Sequence, residues 1–232
     1  IASCLVGSEM CIRDSNKVVN DGVKFVVGHV CSSSTQPATD IYEDEGVLMI
    51  TPSATAPEIT SRGYKLIFRT IGLDNMQGPV AGKFIAERYK DKTIAVLHDK
   101  QQYGEGIATE VKKTVEDAGI KVAVFEGLNA GDKDFNALIS KLKKAGVQFV
   151  YFGGYHPEMG LLLRQAKQAG LDARFMGPEG VGNSEITAIA GDASEGMLAT
   201  LPRAFEQDPK NKALIDAFTV SYTHLTLPTT SR

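Results

Sequence analysis

Short apolar runs rich in β-branched residues alternate along the chain with longer segments in which apolar residues recur every three or four positions. Such runs are typical of strands buried on both faces, and the longer segments are typical of amphipathic helices. The runs that predict strands are VKFVVG, VLMI, TIAVLHD, KVAVFEG, VQFVYFGG, ARFMG and GMLATL. The segments that predict helices begin at 32–35 and then lie at 76–89, 106–118, 135–145, 157–169, 184–190 and 212–218. This alternation predicts an α/β fold with parallel, doubly wound sheets.

The segment 23–58 predicts one βαβ unit, in which VKFVVG is a strand buried on both faces and VLMI is a second buried strand parallel to it. A crowd of hydroxyl residues at 32–35 indicates the start of the connecting helix. Pro37 fits the first turn of that helix, since its missing N–H would be unpaired there anyway, and Gly46 fits the end. Both strands are therefore expected to end at the same edge of a sheet.

Two hydroxyl-rich loops are expected at that edge, which is where open α/β sheets bind ligands. One loop surrounds Ser32, and the other runs through Ser53 and Thr55. Helix N-termini attract anions through free N–H groups and the macrodipole, so the neighbouring hydroxyls predict a site for a carboxylate or phosphate oxygen. Each of these residues alone is better explained as a helix cap, and the pair of loops is what indicates a site.

Two crossings between sheet-forming parts of the chain are expected. The segment 70–74 contains Gly72 and predicts a hinge, and Pro202 and Pro209 mark a second crossing. The intervening helix at 76–89 is expected to turn three apolar residues inward, namely Val80, Phe84 and Ile85.

Composition excludes several classes of protein. The 232 residues are 43% hydrophobic with a net charge of −3, and the pI near 5.9 argues against a nucleic-acid partner, which calls for a basic face. No apolar run reaches the roughly 20 residues of a membrane-spanning helix. The three cysteines, Cys4, Cys11 and Cys31, form no Cys-x-x-Cys pair, which excludes a zinc ribbon or a thioredoxin-type motif.

The two ends of the chain differ from the rest. Residues 1–15 contain no basic segment followed by an apolar one, so they are not an intact signal peptide. Residues 220–232 are rich in Thr and Pro and show no periodicity. Both ends resemble translated linker sequence, and we set them aside from the prediction of the fold.

Enzymatic motifs are weak in this sequence. The segment 103–109 nearly matches the dinucleotide-binding Gly-x-Gly-x-x-Gly, and Glu126 follows at the spacing of a ribose-binding acid, but Thr109 replaces the third glycine. The segment 78–84 resembles a P-loop that lacks its Mg²⁺-binding hydroxyl. Nucleophile elbows and metal-binding histidine spacings are absent. We therefore predict no catalytic residue, no metal and no cofactor; a nucleotide-dependent oxidoreductase built on Gly104 and Gly106 remains the enzymatic alternative.

Three loops that follow strands in the second half offer Tyr103, Tyr155 and Glu179. Each residue alone is unremarkable on a protein surface. Opposite the hydroxyl loops across a cleft, however, they would complement a zwitterion. Hydroxyls and helix amides would bind the carboxylate, Glu179 the ammonium group, and the tyrosines an apolar side chain.

Long motifs then point to one family: GHVCSSSTQPATDIYEDEG, LMITPSATAPE, HDKQQYGEG, YFGGYHPEMG and FMGPEG. Together they closely resemble the periplasmic leucine/isoleucine/valine-binding proteins of bacterial ABC importers, over nearly all of 16–218. The resemblance implies the type I periplasmic-binding-protein fold, in which two doubly wound parallel-sheet lobes joined by a hinge close over one amino acid. It implies that Ser32 and Thr55 contact the carboxylate or amino group and that the Ser53 backbone adds a contact. Tyr103 and Tyr155 would line the cleft, and Glu179 would bind the ammonium.

The same resemblance divides the chain. It implies foreign flanks at 1–15 and 220–232, a first lobe at 16–73 with a return at 203–219, and a second lobe at 74–202. The family's opening strand–helix–strand, with a partner for Cys31, does not appear here, so the first lobe is expected to be incomplete. The implied function is extracytoplasmic: a monomer in the periplasm that passes Leu, Ile or Val to the membrane subunits of an ABC transporter. A ligand-sensing domain of a receptor or regulator with the same fold is the other alternative.

Overall fold

The computed structural model describes residues 8–202 and 208–221 of the chain. Its strands are β1 (Phe25–Val27), β2 (Leu48–Thr51), β3 (Ile67–Arg69), β4 (Ile94–His98), β5 (Val122–Gly127), β6 (Phe149–Gly153), β7 (Arg174–Gly177) and β8 (Leu198–Ala199). Its α-helices are α1 (Ser8–Asn20), α2 (Ser32–Asp44), α3 (Glu58–Ser61), α4 (Asp74–Arg88), α5 (Gln102–Asp117), α6 (Asn136–Lys144), α7 (His156–Gln168), α8 (Glu185–Ala190) and α9 (Lys212–Ser221). Short 3₁₀ turns lie at Glu179–Val181, Gly191–Ser194 and Pro209–Asn211.

The strands form two parallel sheets. The small sheet has the order β1-β2-β3 and the large sheet has the order β5-β4-β6-β7-β8. In the large sheet, side chains of β4 and β6 point alternately to two apolar layers, one shared with α4 and α5 and the other with α6 and α7. Helices on both faces explain why TIAVLHD and VQFVYFGG are continuous apolar runs. The predicted α/β class with parallel sheets is confirmed.

The prediction that VKFVVG is buried on both faces is wrong. Phe25 is 72% exposed and Val27 is 82% exposed, whereas Val26 packs against the core of the small sheet. That core lies on one face only, between the sheet and α2, so alternate residues of β1 point away from it. An apolar run reveals that a strand can be buried, but not how many layers cover it.

Three predictions about helices need correction. Pro37 is the sixth residue of α2 rather than part of its first turn, because the helix begins at Ser32 with Cys31 as its N-cap. Val80 is 61% exposed, because α4 packs on α5 through its smaller residues and Ile85. Helix α5 begins at Gln102, four residues earlier than predicted.

Several elements were not predicted. Strand β3 and the short helix α3 lie between the first βαβ unit and the first crossing. Helix α1 includes residues 8–15 of the flank that was set aside, and its Ser15 is wholly buried, with Val18 and Val19 packed on the core of the small sheet.

The described residues up to Thr200 form one compact unit, and those from Leu201 onward form a second unit that holds α9. No helix in residues 8–202 or 208–221 is long and apolar enough to cross a membrane.

Candidate functional site

The two hydroxyl loops of the small sheet are joined by a hydrogen bond. Ser32 is 1% exposed, and its Oγ accepts a bond of 3.2 Å from the backbone N–H of Ala56. The bond links the first turn of α2 to the loop after β2, which lie at the same edge because β1 and β2 are parallel. The N-cap residue is Cys31 and makes no side-chain cap bond, so Ser32 is not the cap that its sequence position suggested. Cys31 is buried and disulfide-bonded.

Thr51, the last residue of β2, shapes the second loop. Its Oγ1 donates to the carbonyl of His29 over 2.8 Å and accepts from the N–H of Ala54 over 3.0 Å. This turn leaves Ser53 and Thr55 half-buried beside the start of α2. The small sheet therefore brings together all three residues that were predicted on it.

The residues predicted on the large sheet follow β4, β6 and β7, which are neighbours in that sheet. The rings of Tyr103 and Tyr155 lie 5.3 Å apart between centroids, and the Tyr103 hydroxyl accepts a 3.1 Å bond from the N–H of Gly180. Burial is the main reason that the pKa of each tyrosine lies above its ordinary value. Both tyrosines are therefore uncharged at neutral pH, and each offers an apolar ring face and a polar hydroxyl.

Glu179 begins the 3₁₀ turn that packs against these tyrosines. A side chain at the next residue, Gly180, would place its Cβ 2.7 Å from the carbonyl oxygen of Gly154 and 3.0 Å from a ring carbon of Tyr103. Only glycine permits that approach, which fixes Glu179 beside the aromatic pair. The Glu179 side chain is open to solvent on one side, and partial burial raises the pKa of its carboxyl.

The starts of α2 and α5 face each other, so the site residues of the small sheet lie near those of the large sheet. Ser33 Oγ donates to Gln101 Oε1 over 3.3 Å, and the Gln102 side-chain amide donates to that of Gln36. The turn that holds Ser32 is therefore next to the turn that holds Tyr103.

Sequence reasoning missed Asp74 as a functional residue and treated it only as part of a hinge. Its side chain is 2% exposed, neither carboxylate oxygen has a hydrogen-bond partner, and its N–H donates to the carbonyl of Thr55 over 3.1 Å. Burial raises the pKa of Asp74 to about 6, although the Thr55 hydroxyl and Arg69 lower it in part. The Asp74 charge also raises the pKa of Tyr103 and Tyr155, so it lies within electrostatic reach of both. In the sequence, the only indication of its role was an acidic residue within the glycine-containing segment 70–74 that was predicted to be a hinge.

Asp99, just after β4, is a second buried acid that the sequence did not single out. It is 1% exposed; Oδ1 accepts a 2.9 Å bond from the N–H of Gln101, and Oδ2 has no partner. Burial first, and then the charge of Glu158, raise its pKa to about 7. The first oxygen thus orders the start of α5, which carries Tyr103.

The first glycine of the dinucleotide-like segment, Gly104, has a structural explanation. A Cβ at Gly104 would lie 2.2 Å from Asp99 Oδ1 and 2.6 Å from the carbonyl of Gly153, so close packing at the end of β6 requires glycine there. The P-loop-like segment lies within α4. Among the described residues, no group of three or more His, Cys, Asp or Glu side chains could hold a metal ion.

Comparison with known proteins identifies the family of the chain. The periplasmic binding protein family matches residues 15–231. The Leu/Ile/Val/Thr-binding protein of Salmonella typhimurium is 59% identical over 203 residues, which are 88% of this chain and 56% of that protein. The Leu/Ile/Val-binding protein of Escherichia coli K12 is also 59% identical, over 88% of this chain and 55% of that protein. The chain thus spans just over half the length of these curated relatives.

Solved structures agree with the family match. A leucine binding protein from Thermotoga maritima superposes with a TM-score of 0.81 at 25% identity, covering 93% of this chain and 62% of that one. A branched-chain amino acid substrate binding protein from Streptococcus pneumoniae, solved with isoleucine, gives a TM-score of 0.75 at 25% identity with the same coverage. Taken with the parallel sheets and the facing loops, these matches show that the chain belongs to the periplasmic binding protein family.

Proposed function

We propose that this chain carries the amino-acid cleft of a non-enzymatic solute-binding protein that captures Leu, Ile or Val. The observation that carries the proposal is the pairing of Tyr103 with the turn at Glu179. This pairing sets an apolar aromatic wall beside one carboxylate, and the hydroxyl loops of Ser32 and Thr55 come from the other sheet. Sequence comparison also supports the proposal, because the chain is 59% identical to proteins named for binding these amino acids.

Each predicted residue has a defined role in this proposal. The Ser32 Oγ accepts from Ala56, and that bond does not use its hydrogen, which is free to donate to a ligand carboxylate. Thr55 and the backbone of Ser53 supply further polar contacts. Glu179 accepts from the ammonium group in a charge-assisted bond between two ionised groups.

The aromatic wall explains the preference for an apolar side chain. Tyr103 and Tyr155 present ring faces, and Glu179 is already committed to the ammonium group. A charged ligand side chain would be desolvated there without a partner, which costs several kcal/mol. We therefore assign leucine, isoleucine and valine, rather than glutamate or lysine, as ligands.

We further propose that the protein acts as a monomer in the periplasm and delivers its ligand to the membrane subunits of an ABC transporter. This proposal rests on the named functions of the relatives and on the hinge predicted at 70–74. The lobes would be 16–73 with 203–219, and 74–202, and their closure over the ligand would form the surface that the permease recognises.

Calorimetric titration of the 232-residue chain with the twenty amino acids tests the proposal, with circular dichroism to show that the chain is folded. Leucine, isoleucine and valine should bind at 1:1 stoichiometry, and glutamate and lysine should give no heat. Binding of glutamate without binding of leucine would refute the assignment of the cleft. NAD binding would instead support the oxidoreductase alternative.

A further inference from the structure

Arg69, the last residue of β3, lies beside the loop 53–56 that follows β2. The register of the small sheet pairs it with Thr51, the last residue of β2, so both strand ends adjoin this loop. Side chains alternate along a strand, and Phe68 is 48% exposed whereas Ile67 packs in the core under α2. Arg69 therefore points to the same side of the sheet as Ile67, where the loop lies.

The guanidinium group of Arg69 holds two carbonyl oxygens of the loop. Its Nη1 donates to the carbonyl of Ala54 over 3.1 Å and to that of Ala56 over 2.8 Å, and its Nη2 donates to the Thr60 hydroxyl. Both alanines are buried, and buried carbonyls require donors. The Ala56 carbonyl also accepts from the N–H of Ile59 over 3.3 Å, whereas the Ala54 carbonyl accepts from Arg69 alone among the described residues. Because the guanidinium group is ionised, its bonds are charge-assisted.

These bonds fix three consecutive peptide units around Thr55. Arg69 holds the first and the third carbonyl, those of Ala54 and Ala56. The second carbonyl, that of Thr55, accepts from the N–H of Asp74 over 3.1 Å. A peptide unit is planar, so holding its oxygen also sets the direction of the N–H that follows. The backbone on both sides of Thr55 is therefore fixed, and rotation about the Cα–Cβ bond is the main freedom left to its hydroxyl.

We propose that Arg69 is a positioning residue of the amino-acid cleft, which holds Thr55 in the arrangement that meets the polar end of the ligand. The inference rests on the proposed function, in which Thr55 contacts the ligand. Arg69 itself touches no ligand and acts through the loop 53–56. Without it, the peptide units beside Thr55 would be free to rotate, and ordering them on binding would lower the affinity.

Hydrogen exchange of the 232-residue chain, followed by NMR without ligand, tests the hold on the loop. In Arg69→Met, the amide hydrogen of Ala56 should exchange about tenfold faster than in wild type, because the loop opens more often. The amide hydrogen of Met49, which donates to the carbonyl of Leu66 within the same sheet, should exchange at an unchanged rate. Arg69→Lys should show a smaller acceleration, since an ammonium group keeps the charge but lacks the planar fork.

Arg62→Met is the matched control, because Arg62 is a second arginine beside the small sheet. Its side chain donates to Asp40 and to the carbonyl of Gln36, both on α2, and not to the loop 53–56. Exchange of the Ala56 amide hydrogen in this control should equal that of wild type. Unchanged exchange at Ala56 in Arg69→Met would overturn the proposal. Equal acceleration at Ala56 and Met49 would also overturn it, because Arg69 would then stabilise the sheet as a whole.

A double-mutant cycle measured by leucine calorimetry tests whether this hold serves binding. Arg69→Met should raise the dissociation constant about tenfold in the wild-type background and about twofold or less in Thr55→Ala, because Arg69 acts through Thr55. The full effect should remain in Glu179→Gln, whose side chain belongs to the large sheet. Equal effects in all three backgrounds would overturn the positioning role. Absence of leucine binding to the wild type would refute the proposed function, and exchange at Ala56 would still decide whether Arg69 holds the loop.

Discussion

Asp99→Asn should change how the stability of the fold depends on pH. The side chain is 1% exposed, its Oδ2 has no partner, and burial raises its pKa to about 7. Asparagine keeps an oxygen that can accept from the N–H of Gln101, as Oδ1 does over 2.9 Å. The substitution therefore removes the charge and retains the bond that starts α5.

The sign and size of this pH effect follow from the linkage between proton binding and folding. The unfolded carboxyl has a pKa of about 3.9, so the native state holds its proton across a window in which the unfolded state has lost it. This group stabilises the fold fully below pH ~4, and that contribution is lost as the pH rises through about 7. The difference between these two pKa values corresponds to on the order of 4 kcal/mol, a large part of the 5–15 kcal/mol typical of a domain.

Urea denaturation followed by circular dichroism between pH 4 and 8 measures this effect. The difference in unfolding free energy between Asp99→Asn and wild type should be small at pH 4 and should grow in favour of the variant toward pH 8. Asp91→Asn is the matched control, because Asp91 is exposed. If the wild type and Asp99→Asn lose stability in parallel over this range, Asp99 is not a buried acid and the reasoning about its burial fails.

Four further predictions concern the cleft. Glu179→Gln should weaken leucine binding by about 2–5 kcal/mol, measured by calorimetry, because it leaves the ammonium without its charged partner. Ser32→Ala should cost about 1–3 kcal/mol in affinity or stability, because the Ala56 N–H loses its acceptor; unchanged melting and unchanged affinity would contradict this. Tyr103→Phe should lower the unfolding free energy by about 1–3 kcal/mol, since a backbone N–H after Glu179 loses its acceptor. Spin labels at positions 55 and 155 should move closer on adding leucine, and an unchanged distance would argue against a hinge.

The strand and helix order of the large sheet was predictable because its central strands are covered on both faces. Residues of β4 and β6 are buried throughout, so their runs are continuous and carry a clear signal. Strand β1 has the same composition, yet Phe25 and Val27 are exposed, because burial depends on which layers are present and not on the strand itself.

The candidate site was predictable only in part, for a related reason. Hydroxyls and aromatic residues that follow strands are visible in sequence, since topology brings strand ends together. Asp74 and Asp99 gain their raised pKa from burial and from charges distant in sequence, such as Glu110 for the first and Glu158 for the second. A pattern within a short window cannot register such neighbours.

The contacts between α2 and α5 have a consequence for affinity. The bonds of Ser33 with Gln101 and of Gln36 with Gln102 are exchanged for water when the two helices separate, so each is worth about 0.5–1.5 kcal/mol. If only the joined arrangement is competent to bind, apparent affinity equals intrinsic affinity scaled by the population of that arrangement. A substitution that removes one of these two bonds would therefore shift the dissociation constant up to about tenfold and leave the order of preference among ligands unchanged. On the proposed function, the ligand concentration needed for binding and the preference among ligands would then depend on separate residues, and each could change without disturbing the other.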